Sequence, residues 1–160
     1  MPAGGSKWAV NKIADPGSAR ELMVYPPSVP TPLASEPLRV LLVEDSPVIR
    51  EAVVELVESN GQARVAYATD SETAAVGELT NRPYDVFIVD LRLREGSGFG
   101  VLRALQKARP NALTIVLTNY TSEAIRKRCA ELGVKWFFDK SSEFEGIVDL
   151  IAGRRRGTVS

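Results

Sequence analysis

From Leu38 onward the chain alternates, at regular intervals, between short apolar runs rich in β-branched residues and longer segments with helical spacing. That alternation restricts the fold more than any other feature. "LRVLLV", "ARVAYA", "DVFIVD", "LTIVLT" and "VKWFF" read as five strands, and most are apolar throughout rather than on every second residue. Such runs belong in the interior of a sheet covered on both faces. Between and after them lie five amphipathic segments. "SPVIREAVVELVESNG" places Val48, Ile49, Ala52, Val53 and Leu56 on one helical face, with Ser46 as cap, Pro47 at the first helical position and Asn60-Gly61 as the stop. "SETAAVGELTN" and "GFGVLRALQKA" are the second and third helices. "SEAIRKRCAELG" turns Ile125, Cys129 and Leu132 inward. "SSEFEGIVDLIAG" closes the pattern with Phe144, Ile147, Val148 and Ile151 on one face, and with Ser142 and Glu145 as a capping box.

Strands that alternate with helices pair in parallel, and right-handed crossovers leave few topologies. The expected class is α/β: a doubly wound, five-stranded parallel sheet of the flavodoxin-like (βα)5 type, with strand order 2-1-3-4-5. In this arrangement function gathers beyond the carboxyl ends of the strands, where the strand order reverses.

The first 37 residues differ in kind. Seven of the ten prolines precede Leu38, and "VYPPSVPTPLASEP" sustains neither helix nor ladder because each proline removes a donor and fixes φ. The expected organisation is a flexible proline-rich arm over residues 1–37, with a short helical turn near "SARELMVY", one domain over 38–153, and a short basic tail over 154–160. Twenty basic and twenty acidic residues give no global field toward nucleic acid or anionic lipid. A single cysteine, Cys129, excludes an internal disulfide and suits a reducing cytoplasm. No apolar run approaches a bilayer span, and the first residues lack the apolar core of a secretory signal. The sequence also contains no histidine, which removes Ser-His-Asp triads and most zinc sites. Chemistry here has to run on carboxylates, hydroxyls and amines.

The residues after each apolar run supply those groups. Glu44 and Asp45 follow the first strand, Asp90 ends the third, Thr118 ends the fourth, and Lys140 follows the fifth. Taken singly, the carboxylates suit a helix N-terminus or a turn, and Thr118 suits a strand end. Lys140 is harder to explain, because a cation just before a helix meets the wrong end of its dipole. Together the groups make chemical sense. Three crowded carboxylates repel and raise one another's pKa. A hard divalent cation such as Mg²⁺ relieves that with oxygen ligands, including phosphate oxygens. An aspartate beside such a cation, faced by a lysine and a hydroxyl, can attack a phosphoryl group to give an aspartyl phosphate.

Over residues 38–153 the sequence resembles a response-regulator receiver domain of two-component signalling. The elements that carry the likeness are "LLVEDSP", "VFIVDLRL" with Gly98 beyond it, "IVLTN" and "WFFDKS". The resemblance implies Asp90 as phosphoacceptor, Glu44 and Asp45 as the acidic pair for Mg²⁺, and the Arg92 carbonyl as a backbone ligand. It implies Thr118 as the hydroxyl that follows the phosphoryl group, Lys140 as its cationic partner and Phe137 as an aromatic switch working with Thr118. It also places Arg92 and Tyr120 beside the path of hydrolytic water, and two large side chains there predict a slowly hydrolysed phosphoryl group. Three positions depart from the common pattern: Ser141 and Arg94 stand where proline is frequent, and Asn119 where a small residue is.

The expected function is therefore a phosphorelay response regulator. It takes a phosphoryl group from a histidine kinase or histidine phosphotransfer protein and catalyses its own phosphorylation and slow hydrolysis, without being a conventional enzyme. Only "RRRGTVS" follows the last helix, so output is expected through a downstream protein target. The surface of the fourth helix, fifth strand and fifth helix carries Arg126, Lys127, Lys135 and Trp136 and is also the expected homodimer face; no direct nucleic-acid or membrane contact is expected. The alternative is a receiver-like adaptor that works without phosphorylation. An aspartate-nucleophile phosphatase wants a second aspartate where Arg92 stands, a dinucleotide enzyme wants G-x-G-x-x-G after the first strand, and neither pattern is present.

Overall fold

A computed structural model describes residues 36–155 of the chain. Those residues form five parallel strands and five helices. The strands are β1 (Leu38–Val43), β2 (Ala63–Thr69), β3 (Val86–Val89), β4 (Leu113–Thr118) and β5 (Trp136–Asp139). The helices are α1 (Pro47–Glu58), α2 (Glu72–Asn81), α3 (Gly98–Ala108), α4 (Glu123–Glu131) and α5 (Gly146–Arg155). The sheet order is β2-β1-β3-β4-β5, the doubly wound order expected from the alternation. The proposed arm, its helical turn and the end of the basic tail lie outside the described residues.

Alternation along the strands divides the core into two layers. Leu41, Val43, Phe87, Val89 and Val116 meet Ala75 and Leu79 of α2, Val101, Leu102 and Leu105 of α3, and Cys129 of α4. Val40, Leu42, Val86, Ile88, Ile115 and Leu117 point the other way, onto Val53 and Val57 of α1 and Ile147, Leu150 and Ile151 of α5. The three inner strands β1, β3 and β4 are thus buried on both faces, which is why their sequences are apolar without alternation, whereas the edge strands β2 and β5 are only partly buried.

Serine begins four of the five helices. The side chains of Ser46, Ser71, Ser97 and Ser122 accept from the backbone N–H of Ile49, Ala74, Phe99 and Ile125 respectively. Gly61 (φ 74°) and Gly133 (φ 90°) occupy the left-handed region just beyond α1 and α4, where a side chain would be strained.

Two local expectations are corrected. Val48 is 74% exposed rather than core-facing, and Val57 is buried in its place. At 100° per residue Val48 lies roughly 140° around the helix from Val53, whereas Val57 lies about 40° away. The Ser142–Glu145 capping box is not formed, and α5 begins at Gly146. The Asp139 carbonyl accepts from Ser142 N (3.2 Å) and Glu143 N (2.9 Å), and its carboxylate accepts from Ser141 N (2.8 Å) and Ser141 Oγ (2.6 Å). The Asp139 carbonyl takes the Ser142 N–H that the Glu145 side chain of a capping box would have accepted from, and residues 140–145 turn before the helix starts.

Cys129 is buried, and burial pushes its thiol up to about 11 against a smaller opposing effect of Arg128. The expected result is that the sole thiol resists modification by a water-soluble disulfide reagent at neutral pH and reacts fully in denaturant. Rapid native modification would contradict the packing of α4.

Candidate functional site

The strand ends bring the sequence-predicted groups to one rim. The backbone ladder continues one residue past the strands: Glu44 N donates to Thr69 O (2.9 Å), Asp90 N to Val43 O (2.8 Å) and Lys140 N to Thr118 O (3.0 Å). Polar side chains that follow apolar strands are therefore held by main-chain bonds rather than by loop placement. Glu44 is 1% exposed, Asp90 4% and Thr118 0%.

Lys140 ties the two buried carboxylates together. Its Nζ donates to Glu44 Oε2 (2.9 Å) and to Asp90 Oδ2 (2.8 Å). Glu44 Oε2 also accepts from Ser46 N (2.9 Å), and Asp90 Oδ1 accepts from Leu91 N (2.8 Å). Burial raises the Glu44 pKa, with the Asp90 charge adding to it and the Ser46 and Lys140 hydrogen bonds opposing. Burial alone would lower the Lys140 pKa, but its hydrogen bonds to Asp90 and Glu44 prevail and raise it. One ammonium thus faces two sequestered carboxylates, with half-buried Asp45 beside them. The pocket carries surplus negative charge in a place poorly served by water.

That surplus, with an all-oxygen donor set, fits a hard divalent cation. Among the described residues no three acidic, thiol or imidazole side chains converge to hold a metal by themselves.

The remaining predicted residues lie in or just beyond β3, β4 and β5. The buried Thr118 hydroxyl accepts from Tyr120 N (3.2 Å). Half-buried Phe137 packs against the α2–α4 side of the core, with the Arg126 guanidinium 4.5 Å from its ring centroid. The exposed Arg92 donates from Nη1 to the Tyr120 hydroxyl and lies 5.0 Å over the Tyr120 ring, joining the loops after β3 and β4. The peptide bonds of residues 36–155 are all trans, Lys140–Ser141 included.

A clamp on the loop after Asp90 was not foreseen. Arg94 pairs bidentately with Asp70 (Nε to Oδ2 2.7 Å, Nη2 to Oδ1 3.1 Å), and this pairing lowers the Asp70 pKa. The Glu95 carboxylate accepts from Thr73 N (3.1 Å) and Thr73 Oγ1 (3.1 Å) at the start of α2 and from Ser71 Oγ. Taking the residue that follows β2, as was done for the other strands, would have pointed to Asp70. Glu95 carries no such signal.

Gly98 closes the site from behind. Its N–H donates to Leu91 O (2.9 Å), and a Cβ there would lie 2.1 Å from Asp90 O and 2.7 Å from Leu91 Cα. Both obstacles are backbone, so Gly98→Ala is expected to destabilise by about 3 kcal/mol or more in denaturant unfolding. An unchanged midpoint would show that α3 can move away from Asp90 freely.

Comparison with known proteins agrees with the geometry. The family described as the response regulator receiver domain matches residues 40–152. The protein-glutamate methylesterase/protein-glutamine glutaminase 1 of Syntrophus aciditrophicus is 31% identical over 107 residues, covering 66% of this chain and 31% of that protein. The DNA-binding transcriptional activator DevR/DosR of Mycobacterium tuberculosis is 30% identical over 86 residues, covering 54% of this chain and 40% of its own. The chain thus spans well under half the length of either relative. In fold, the response regulator domain of Thermotoga maritima CheB superposes with a TM-score of 0.65 at 22% identity, over 77% of this chain and 96% of that one.

Proposed function

Because this chain belongs to the response-regulator receiver domain family of two-component signalling, we propose that Asp90 is the phosphoacceptor of a phosphorelay. The observation that carries the proposal is the Lys140 ammonium bridging buried Asp90 and Glu44 at the carboxyl edge of the sheet. An Asp90 carboxylate oxygen attacks the phosphorus of a phosphohistidine. The phosphorus–nitrogen bond breaks, and the imidazole leaves with that electron pair. These 160 residues contain no histidine, so the donor histidine lies outside them, on a histidine kinase or phosphotransfer protein.

Receiver domains generally work with Mg²⁺, and when bound it neutralises charge on the transferring oxygens. Glu44, Asp45, Asp90 and the Arg92 carbonyl would hold it. Lys140 loses its bond to Asp90 as that oxygen enters the acyl phosphate, and it pairs with a phosphoryl oxygen instead. The Thr118 hydroxyl turns to another, which gives Phe137 and the α4–β5–α5 face two arrangements to choose between. We assign output and homodimerisation to that face, through Arg126, Lys127, Lys135 and Trp136, in the cytoplasm. No described helix is long and apolar enough to cross a membrane.

The likeness to DevR/DosR favours a second reading of the output, contact with DNA. Titration with duplex DNA before and after phosphorylation separates the two outputs. The test of the site itself is incubation with acetyl phosphate and Mg²⁺ followed by intact mass measurement. One added phosphoryl group is expected, and its absence would favour the phosphorylation-independent adaptor.

A further inference from the structure

Residues 70–73, just after β2, grip residues 94–97 of the loop that follows Asp90. The Asp70 carboxylate takes the Arg94 guanidinium through two bonds (2.7 and 3.1 Å), and the Asp70 carbonyl accepts from Arg94 N (3.1 Å). Ser71 Oγ, Thr73 N and Thr73 Oγ1 all donate to the Glu95 carboxylate. Glu72 N donates to the Glu95 carbonyl (2.9 Å), and Glu72 Oε1 accepts from Ser97 N (2.8 Å) at the start of α3. A Cβ at Gly96 or Gly100 would collide with the Glu72 side chain, so the two glycines leave it its place. One such bond is an ordinary helix cap; here they run along a whole turn and fix it. The gripped turn begins two residues after Arg92. On its other side, Asp90 N is bonded to Val43 O (2.8 Å) and Gly98 N to Leu91 O (2.9 Å). The span that carries the Arg92 carbonyl is thus tied at both ends. That carbonyl accepts no hydrogen bond among the described residues, which leaves its lone pairs open to a cation.

We propose that Arg94 is a positioning residue: through this clamp it holds the Arg92 carbonyl ready as a ligand and so sets the affinity of the site for Mg²⁺. The inference rests on the metal-assisted phosphoacceptor reading above. A ligand already in place loses less conformational freedom on binding, which strengthens it. The sign of the effect separates this from plain electrostatics. Arg94 lies near enough to Asp45 for their charges to interact, so Arg94→Ala removes a cation from beside the acidic rim. Charge alone would then tighten Mg²⁺ binding, whereas a lost clamp weakens it. Titration calorimetry with MgCl₂ is expected to show Arg94→Ala binding about three- to fivefold more weakly than the parent, the scale of an exposed bidentate pair. Arg94→Lys keeps the charge but lacks the planar fork, and should fall in between. With acetyl phosphate, both variants should need more Mg²⁺ for half-maximal labelling yet reach the parent rate at saturation. Their urea midpoints should stay near the parent's, because Arg94 is exposed. Equal or tighter Mg²⁺ binding by Arg94→Ala overturns the proposal, as does labelling that stays slow at saturating Mg²⁺. A parent protein that binds no Mg²⁺ overturns the metal reading itself, and this inference with it.

Discussion

Asp90→Asn is expected to gain no phosphoryl group under conditions that label the parent protein, a loss of at least about 10³ in rate, since a neutral amide is no nucleophile toward phosphorus. The same change should leave the fold intact or firmer. An asparagine oxygen can keep the Leu91 N–H bond (2.8 Å in the parent), and Lys140 keeps its bond to Glu44 (2.9 Å). One of two buried carboxylates sharing one ammonium is gone, which relieves the surplus charge. Labelling that persists undiminished in this variant would sink the assignment of Asp90. Lys140→Ala should behave in the opposite sense. It leaves Glu44 and Asp90 buried without a counter-charge, at a cost of about 3–5 kcal/mol. The pH dependence distinguishes this from a simple packing loss. The folded Glu44 pKa is already raised above its ordinary 4.5 by burial, and removing the ammonium raises it further. An ionised carboxyl with a raised folded pKa opposes folding, fully above that pKa and progressively less as pH falls through it toward 4.5. Lys140→Ala should therefore recover stability on mild acidification, read as a rising urea midpoint.

The topology and the polar rim were legible in the sequence for one physical reason. A strand buried on both faces is apolar along its whole length, so polar residues appear only where it leaves the sheet, at the edge where ligands bind. Glu44, Asp90, Thr118 and Lys140 were found that way, and the structure brings Glu44, Asp90 and Lys140 within hydrogen-bonding reach of one another while burying Thr118. What stayed hidden was decided by competition among nearby groups. Helical spacing from Val53 itself favours Val57, about 40° away, over Val48, about 140° away, so the inward placing of Val48 ran against its own angle. The start of α5 was misread because the carbonyl of Asp139, a strand residue, takes the Ser142 N–H that the capping box needs. Arg94 looked like a mere substitution for proline. Its ion pair with Asp70 fastens the loop from outside, and pairing partners so far apart in sequence leave no periodic trace.

A slow loss of the proposed phosphoryl group is expected to rest on Arg92 and Tyr120, a pair whose contact loop sequence alone could not settle. Water that hydrolyses an aspartyl phosphate has to reach phosphorus in line with, and opposite to, the Asp90 oxygen. The resemblance to receiver domains places the loops after β3 and β4 beside that approach, and in the structure Arg92 and Tyr120 join those loops by a hydrogen bond, with the guanidinium carbon 5.0 Å from the ring centroid. Arginine supplies no general base at neutral pH, and a tyrosine hydroxyl engaged by arginine is poorly placed to activate water. We therefore propose that the pair shields without assisting. Tyr120→Ala is expected to hasten loss of the phosphoryl group by about tenfold, equivalent to ~1.4 kcal/mol of barrier. Because Tyr120 is 40% exposed, its own removal should cost little stability. Arg92→Ala should act similarly, since the ring loses the partner that holds it. The double variant should decay no faster than either single one, the signature of two groups acting as a unit. Arg92→Lys should not restore the slow rate, because an ammonium lacks the planar face that stacks on the ring. Decay of the phosphorylated protein, followed by intact mass for these variants, decides the matter: unchanged half-lives would mean that the tyrosine ring is no shield, and additive accelerations that the two side chains work apart.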